Sequence, residues 1–198
     1  MRVRVNESVN RRSSKDGHYS DSVHRSEVSK CNMNCMLMNA QSLRSKFDEF
    51  RCVLAIQKPD IVCVTETWVS EGFWGDRLQY FELQSYNMFS YCRESRQGGG
   101  VFLYVNNLYY ATRVEDSTKA KEVESIWIDV KNGTRSSDVL RIGAFYRPGN
   151  LARALQYEAD IILCEELRKN CKPNCLIMGD FNLRGYEDRA ETNDCIDV

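Results

Sequence analysis

An α/β fold is the architecture this sequence predicts, on three observations: a strand-helix-strand opening, a β-rich middle, and a late helix that runs into a further strand. Cys35 to Asn39 (CMLMN) is a short apolar run that reads as a buried strand. Leu43, Phe47, Phe50 and Leu54 then recur at steps of four, three and four, the spacing of an amphipathic helix. Ser42 stands where an N-cap would, and Lys58-Pro59 stops the pattern. Asp60 to Thr65 (DIVCVT) is almost continuously apolar, as a strand covered on both faces would be. Tyr86 to Cys92 and Val101 to Asn106 read as strands on either side of Gly98-Gly99-Gly100, which is more typical of a tight turn than of a phosphate cradle. Val123 to Val130 alternates through Ile126, Ile128 and Val130, and Asn132-Gly133 signals a turn before Val139 to Tyr146. Together these strands are expected to form an antiparallel meander. A second helix is predicted over about Leu151 to Lys169, with Ala152, Leu155, Ala159, Ile162, Leu163 and Leu167 on one face. The strand Cys175 to Met178 follows and leads straight into Gly179-Asp180-Phe181-Asn182.

Composition narrows the class. The 198 residues are 42% hydrophobic with only 3 Pro and 11 Gly, which suits one sizeable globular domain. A net charge of −1 does not announce a polyanion binder. No apolar run approaches the ~20 residues that span a bilayer, and the N-terminus lacks the apolar core of a signal peptide, so an intracellular protein is expected. Residues 1–30 carry seven Ser and seven basic against four acidic side chains, and are expected to form a disordered, mildly basic tail before a domain over 31–198. Both histidines, His18 and His24, lie in that tail, so the body of the domain has no imidazole of its own. Cys52, Cys63 and Cys164 fall in apolar periodic segments and read as small core residues kept reduced. The pairs Cys31/Cys35 and Cys171/Cys175 could supply four thiolates to a zinc ion, although no histidine supports that reading.

Polar groups at the ends of buried strands are the candidates for chemistry, because a core can hold them rigidly beside solvent. Asn39, Glu66, Tyr146, Asp180 and Asn182 all occupy such ends. Glu66 alone would pass for an exposed strand terminus. As a set, Asn39, Glu66, Asp180 and Asn182 offer only oxygen-rich groups, which suit a hard divalent ion that keeps several waters, Mg2+ or Mn2+. Beside a neutral phenol such as Tyr146, that donor set fits a phosphodiester substrate.

The ordered motifs Asn39-Ala40-Gln41-Ser42-Leu43, Thr65-Glu66-Thr67-Trp68, Gly98-Gly99-Gly100-Val101, Tyr146-Arg147-Pro148 and Gly179-Asp180-Phe181-Asn182 resemble those of the endonuclease/exonuclease/phosphatase superfamily, the group of DNase I and exonuclease III. The first, second and fourth look most like the endonuclease domain of jockey-type non-LTR retrotransposons. The resemblance implies a four-layered α/β sandwich, two mixed sheets face to face with helices outside. It also implies a metal-dependent endonuclease that nicks target DNA. By motif, Glu66 would be the principal metal ligand and Asn39 would position the metal or its water. Tyr146 would hydrogen-bond the scissile phosphate, Asp180 would orient or deprotonate the attacking water or assist the leaving group, and Asn182 would contact the phosphate and help hold the catalytic groups. DNA is the implied partner, with a nuclear location if the DNA is genomic, no membrane is involved, and no reverse transcriptase domain is present in the chain.

One departure stands out. The family closes its site with a late Ser-Asp-His, and here Asp188, Asp194 and Asp197 follow Asn182 without any histidine. The domain is therefore expected to lack its last strands and to be impaired in catalysis, since losing an acid-base group costs about 10² to 10⁴-fold in rate. The competing expectation is a non-catalytic DNA- or protein-binding module derived from such a domain.

Overall fold

The computed structural model describes residues 33–70, 75–93, 98–114, 122–133 and 138–183. The expected tail, Cys31 and the C-terminal aspartates lie outside the described residues. Eight strands and two α-helices are described: β1 (Cys35–Asn39), α1 (Phe47–Gln57), β2 (Ile61–Thr65), β3 (Tyr86–Tyr91), β4 (Val101–Asn106), β5 (Tyr110–Arg113), β6 (Glu124–Lys131), β7 (Val139–Tyr146), α2 (Arg153–Asn170) and β8 (Cys175–Asp180). They form two four-stranded sheets of order β1-β2-β4-β3 and β5-β6-β7-β8. Each sheet is mixed. β1 and β2 run parallel, as do β7 and β8, while the remaining pairs are antiparallel.

Strand alternation builds the layers. Along β2 and β4, Ile61, Cys63, Val101, Leu103 and Val105 face the second sheet, where they meet Ile126, Ile128, Val130, Ile142 and Ala144. The residues between them, Val62, Val64, Phe102 and Tyr104, face outward onto Leu43, Phe47, Phe50 and Leu54 of the α1 segment. On the opposite side, Trp127 and Phe145 turn away from the inter-sheet core toward Ala159 and Leu163 of α2. Three apolar seams thus separate four layers: α1, sheet, sheet, α2. β2 is wholly buried because it is covered on both faces, as its unbroken apolar sequence requires. Among the described residues, no helix is long and apolar enough to cross a membrane.

Several expectations need correction. The strands predicted as one meander divide into two hairpins in different sheets, β3-β4 and β6-β7, and the short β5 between them, with one half-buried and three exposed residues, carries too little apolar signal to be read. Ser42 is not a cap: it adopts φ +80°, and α1 begins five residues later after a 3-10 turn. On α2 the buried face is shifted. Leu155 and Ala152 are exposed, while Glu166 and Asn170 are buried in their place. Of the three cysteines assigned to the core only Cys63 is buried; Cys52 and Cys164 sit on the outer sides of their helices.

The zinc reading fails as well. Burial, with Asp60 adding to it, pushes the Cys35 thiol up to about 11, which opposes a metal-binding thiolate. Cys35 packs against the inter-sheet core and Cys175 against the α2 seam, so different layers hold them.

Candidate active site

The site gathers where strands from both sheets end on the same side. Backbone pairing does not stop where β1 ends at Asn39. Residues 40–43 continue beside the strand β2 has just completed, with the Ala40, Ser42 and Leu43 amides donating to the carbonyls of Thr65, Glu66 and Thr67 at 2.8, 3.0 and 3.0 Å. Left-handed backbone at Gln41 (φ 43°), Ser42 (φ 80°) and Glu66 (φ 52°) makes this zipper possible. Ala40 and Leu43 are buried within it, and Lys46 Nζ donates to the Ala40 carbonyl at 2.5 Å. The first two motifs are therefore one structural unit that fixes Asn39 and Glu66 together.

Asn39 is the centre of the arrangement. Its Nδ2 donates to Glu66 Oε1 at 2.9 Å and to Asp180 Oδ2 at 3.0 Å, and its Oδ1 accepts from the Gln41 amide at 3.2 Å, which sets the orientation of the side-chain amide. The two carboxylate oxygens bound to one nitrogen are at most about 6 Å apart, a separation at which like charges repel and a cation is favoured between or beside them. Among the described residues, no group of three or more His, Cys, Asp or Glu forms a metal cage. Two carboxylates with amide and water oxygens are the donor set of Mg2+, which binds through one or two carboxylates rather than through an all-protein cage.

Tyr146 reaches the site from β7. In the sheet register it lies between Glu124 and Asp180. Burial, reinforced by the charges of Glu66, Glu124 and Asp180 and opposed by Arg93, pushes its phenol up to about 12. It is therefore a neutral hydrogen-bond donor at physiological pH.

Asn182 is placed differently from its predicted partners. Its Nδ2 donates to the Arg147 carbonyl at 2.8 Å, and Arg147 Nη1 returns a bond to the Asn182 carbonyl at 2.8 Å. The Arg147 amide also donates to the Asp180 carbonyl at 2.9 Å, and its guanidinium meets Asp160 of α2 at 3.0 Å. Arg147 and Asn182 thus hold the turn that presents Asp180 and anchor it to α2. Glu66 and Asp180 each hydrogen-bond Asn39, Tyr146 senses the charge of the two carboxylates, and Asn182 braces the turn.

Sequence reasoning missed the support behind Tyr146. Glu124 is 1% exposed; its carboxylate pairs with Arg93 and accepts the Gly100 amide at 2.5 Å. The amide that would help cradle a phosphate in Gly98-Gly99-Gly100 is therefore already engaged. All three glycines have positive φ, and a Cβ on Gly99 would lie 2.4 Å from Arg93 Nε and 2.5 Å from Glu124 Oε1. The signal for Glu124 was its parity: it shares a strand face with Ile126, Ile128 and Val130, so its carboxylate is carried inward and needs a cation. Trp68, at φ 56° and 43% exposed, hangs beside this loop with its amide on the Gly99 carbonyl at 2.8 Å.

The family model described as "Endonuclease/Exonuclease/phosphatase family" matches residues 31–195. The chain belongs to this family. A search of curated protein sequences gives no significant match. Solved structures with the same fold include the AP endonuclease LMAP of Leishmania major (TM-score 0.56, 15% identity, 75% of this chain and 54% of that one). TDP2 of D. rerio, complexed with single-strand DNA product, gives TM-score 0.52 at 14% identity over 79% and 63% of the two chains. The 3′ phosphatase NExo of Neisseria, bound to a product DNA hairpin, gives 0.53 at 16% identity over 76% and 58%. This endonuclease/exonuclease/phosphatase domain spans little more than half the length of such relatives. Its two mixed sheets and paired helices are the fold that the motif resemblance implied.

Proposed function

We propose that the domain is a Mg2+-dependent DNA endonuclease of the retrotransposon type, which cleaves a phosphodiester to nick target DNA and works in the nucleus. The observation that carries this reading is the Asn39 amide bridging Glu66 and Asp180 across two sheets, with the neutral phenol of Tyr146 beside them. Glu66 and Asn39 would hold the metal, which when bound supplies positive charge to a phosphoryl oxygen. Tyr146 donates a hydrogen bond to that phosphate, favouring the charge that grows in the transition state. Asp180, fixed by Asn39 and the Arg147 turn, orients the attacking water and accepts its proton. The DNA-bound states of TDP2 and NExo support a nucleic-acid substrate.

The test is nicking of supercoiled plasmid by the purified chain. Nicking that needs Mg2+, stops with EDTA and falls at least about 10²-fold in Glu66→Gln supports the reading. Salt-sensitive DNA binding unchanged in Glu66→Gln, with no nicking at high enzyme concentration, would replace it with a binding module.

A further inference from the structure

We infer that Cys171 and Cys175 form a reversible dithiol-disulfide site at the corner between α2 and β8, oxidised by low-molecular-mass disulfides of the glutathione class. The site is separate from the proposed phosphodiester chemistry and independent of it.

Geometry carries the inference. The two Sγ atoms lie 3.9 Å apart, both thiols are free, and Cys171 is exposed. A disulfide bond of about 2 Å needs only a small further approach. The corner is also fixed from both sides. The Cys171 amide donates to the Leu167 carbonyl at 2.9 Å at the end of α2, and the Arg141 amide donates to the Asn174 carbonyl at 2.9 Å just before β8. Pro173 restricts the three-residue link between the thiols. Arg141 stands opposite Cys175 in the β7-β8 register, and its guanidinium, held chiefly by Asp129, also feels charge on that sulfur. Burial, then the neighbouring Cys175, raises the Cys171 thiol, so exchange should quicken as pH rises above neutrality.

The reaction balances without another reagent. Cys171 Sγ, as thiolate, attacks one sulfur of the small disulfide and expels a thiolate that takes up the proton Cys171 released. Cys175 Sγ then attacks Cys171 Sγ and expels the second small thiol in the same way. Two protein thiols become one disulfide while one small disulfide becomes two thiols. Excess reduced thiol reverses both steps, as expected for an exposed bond closing a very short loop.

The experiment equilibrates the folded chain with oxidised and reduced glutathione and reads the tryptic peptide Asn170–Arg184, which holds both cysteines because Lys172 precedes Pro173. The expected product is that peptide lighter by two hydrogen atoms, while the exposed Cys52 and Cys164 carry glutathione. Cys171→Ser and Cys175→Ser should each convert the closed peptide to a mixed disulfide, and Cys164→Ser should leave it closed. The same chain in denaturant is the reference for sequence proximity alone; preorganisation should raise the closed-to-open ratio at least about tenfold in the folded chain. Glutathione adducts on the wild-type peptide, or equal ratios in folded and denatured chain, would overturn the inference.

Discussion

Removing the buried carboxylate of Glu124 is the most discriminating perturbation of this domain. Glu124 and Arg93 are 1% and 14% exposed at their side chains, and the carboxylate also takes the Gly100 amide. Breaking one side of such a pair leaves a buried charge without its counter-ion and costs about 3 to 5 kcal/mol, far more than an exposed pair such as Asp48–Arg51. Glu124→Ala should lose that amount. Glu124→Gln keeps an acceptor for Gly100 and should lose about 2 kcal/mol, the worth of a charge-assisted hydrogen bond. Replacing both partners with apolar groups, Arg93→Met with Glu124→Leu, should cost less than the sum of the single changes by about 2 kcal/mol, because no orphan charge remains. Urea unfolding followed by circular dichroism in reducing buffer measures the wild type, both Glu124 substitutions, and the Arg93→Met and Glu124→Leu variants singly and combined. Additivity within about 0.5 kcal/mol, or a Glu124→Gln loss below that figure, would refute the reasoning. Glu124 is also one of the charges that raise the Tyr146 phenol, so Glu124→Gln should lower that titration in ¹³C-labelled tyrosine spectra, while burial, the larger cause, keeps it above its ordinary value.

Other expectations follow from the same geometry. Gly179→Ala places a Cβ 2.1 Å from the Phe145 carbonyl oxygen and 2.8 Å from its backbone nitrogen, contacts that no rotamer relieves, so urea unfolding should show a loss of about 3 kcal/mol. Mg2+ at tenfold its dissociation constant should raise the thermal midpoint by about 3 to 6 °C, and Glu66→Gln should abolish the shift. At alkaline pH the folded state holds protons that the unfolded chain releases. Burial raises Cys63 from 9.0 to about 12 and Tyr146 from 10.0 to about 12, so stability should be flat below about pH 9 and fall between there and pH 12. At the acid end the hydrogen bond from Arg141 lowers Asp129 below 3.8, and its contribution should be present above that pH and fade beneath it, as pH-dependent denaturation will show.

How much of this was legible depended on whether a residue's environment is local. β1, β2 and β4 were readable because long apolar runs leave few alternatives, and the α1 face because Phe47, Phe50 and Leu54 obey one period. Which strands share a sheet was not readable: β3-β4 and β6-β7 look alike as hairpins, and only the long crossing through β5 separates them. The same limit applied to the site. Motif order singled out Asn39, Glu66, Tyr146 and Asp180 as candidates, but the engagement of Asn182 with Arg147, and of Gly100 with Glu124, depends on partners far along the chain. Left-handed backbone at Ser42 defeated the capping rule, because tertiary pairing with residues 65–67 outweighed the local preference.

The Asn39–Asp180 hydrogen bond joins residues 141 positions apart. Closing so wide a loop yields no contact energy until both sheets have docked, so this bond should be among the last to form in folding. During synthesis the first sheet is complete once Asn106 has emerged, and can pair its strands while the second is still being made. Until β8 arrives, Glu66 and Asn39 stand at the end of a half-built sandwich without their acidic partner. A nascent or locally opened domain would therefore lack the Asp180 side of the candidate site, so assembly of that site is tied to completion of the fold.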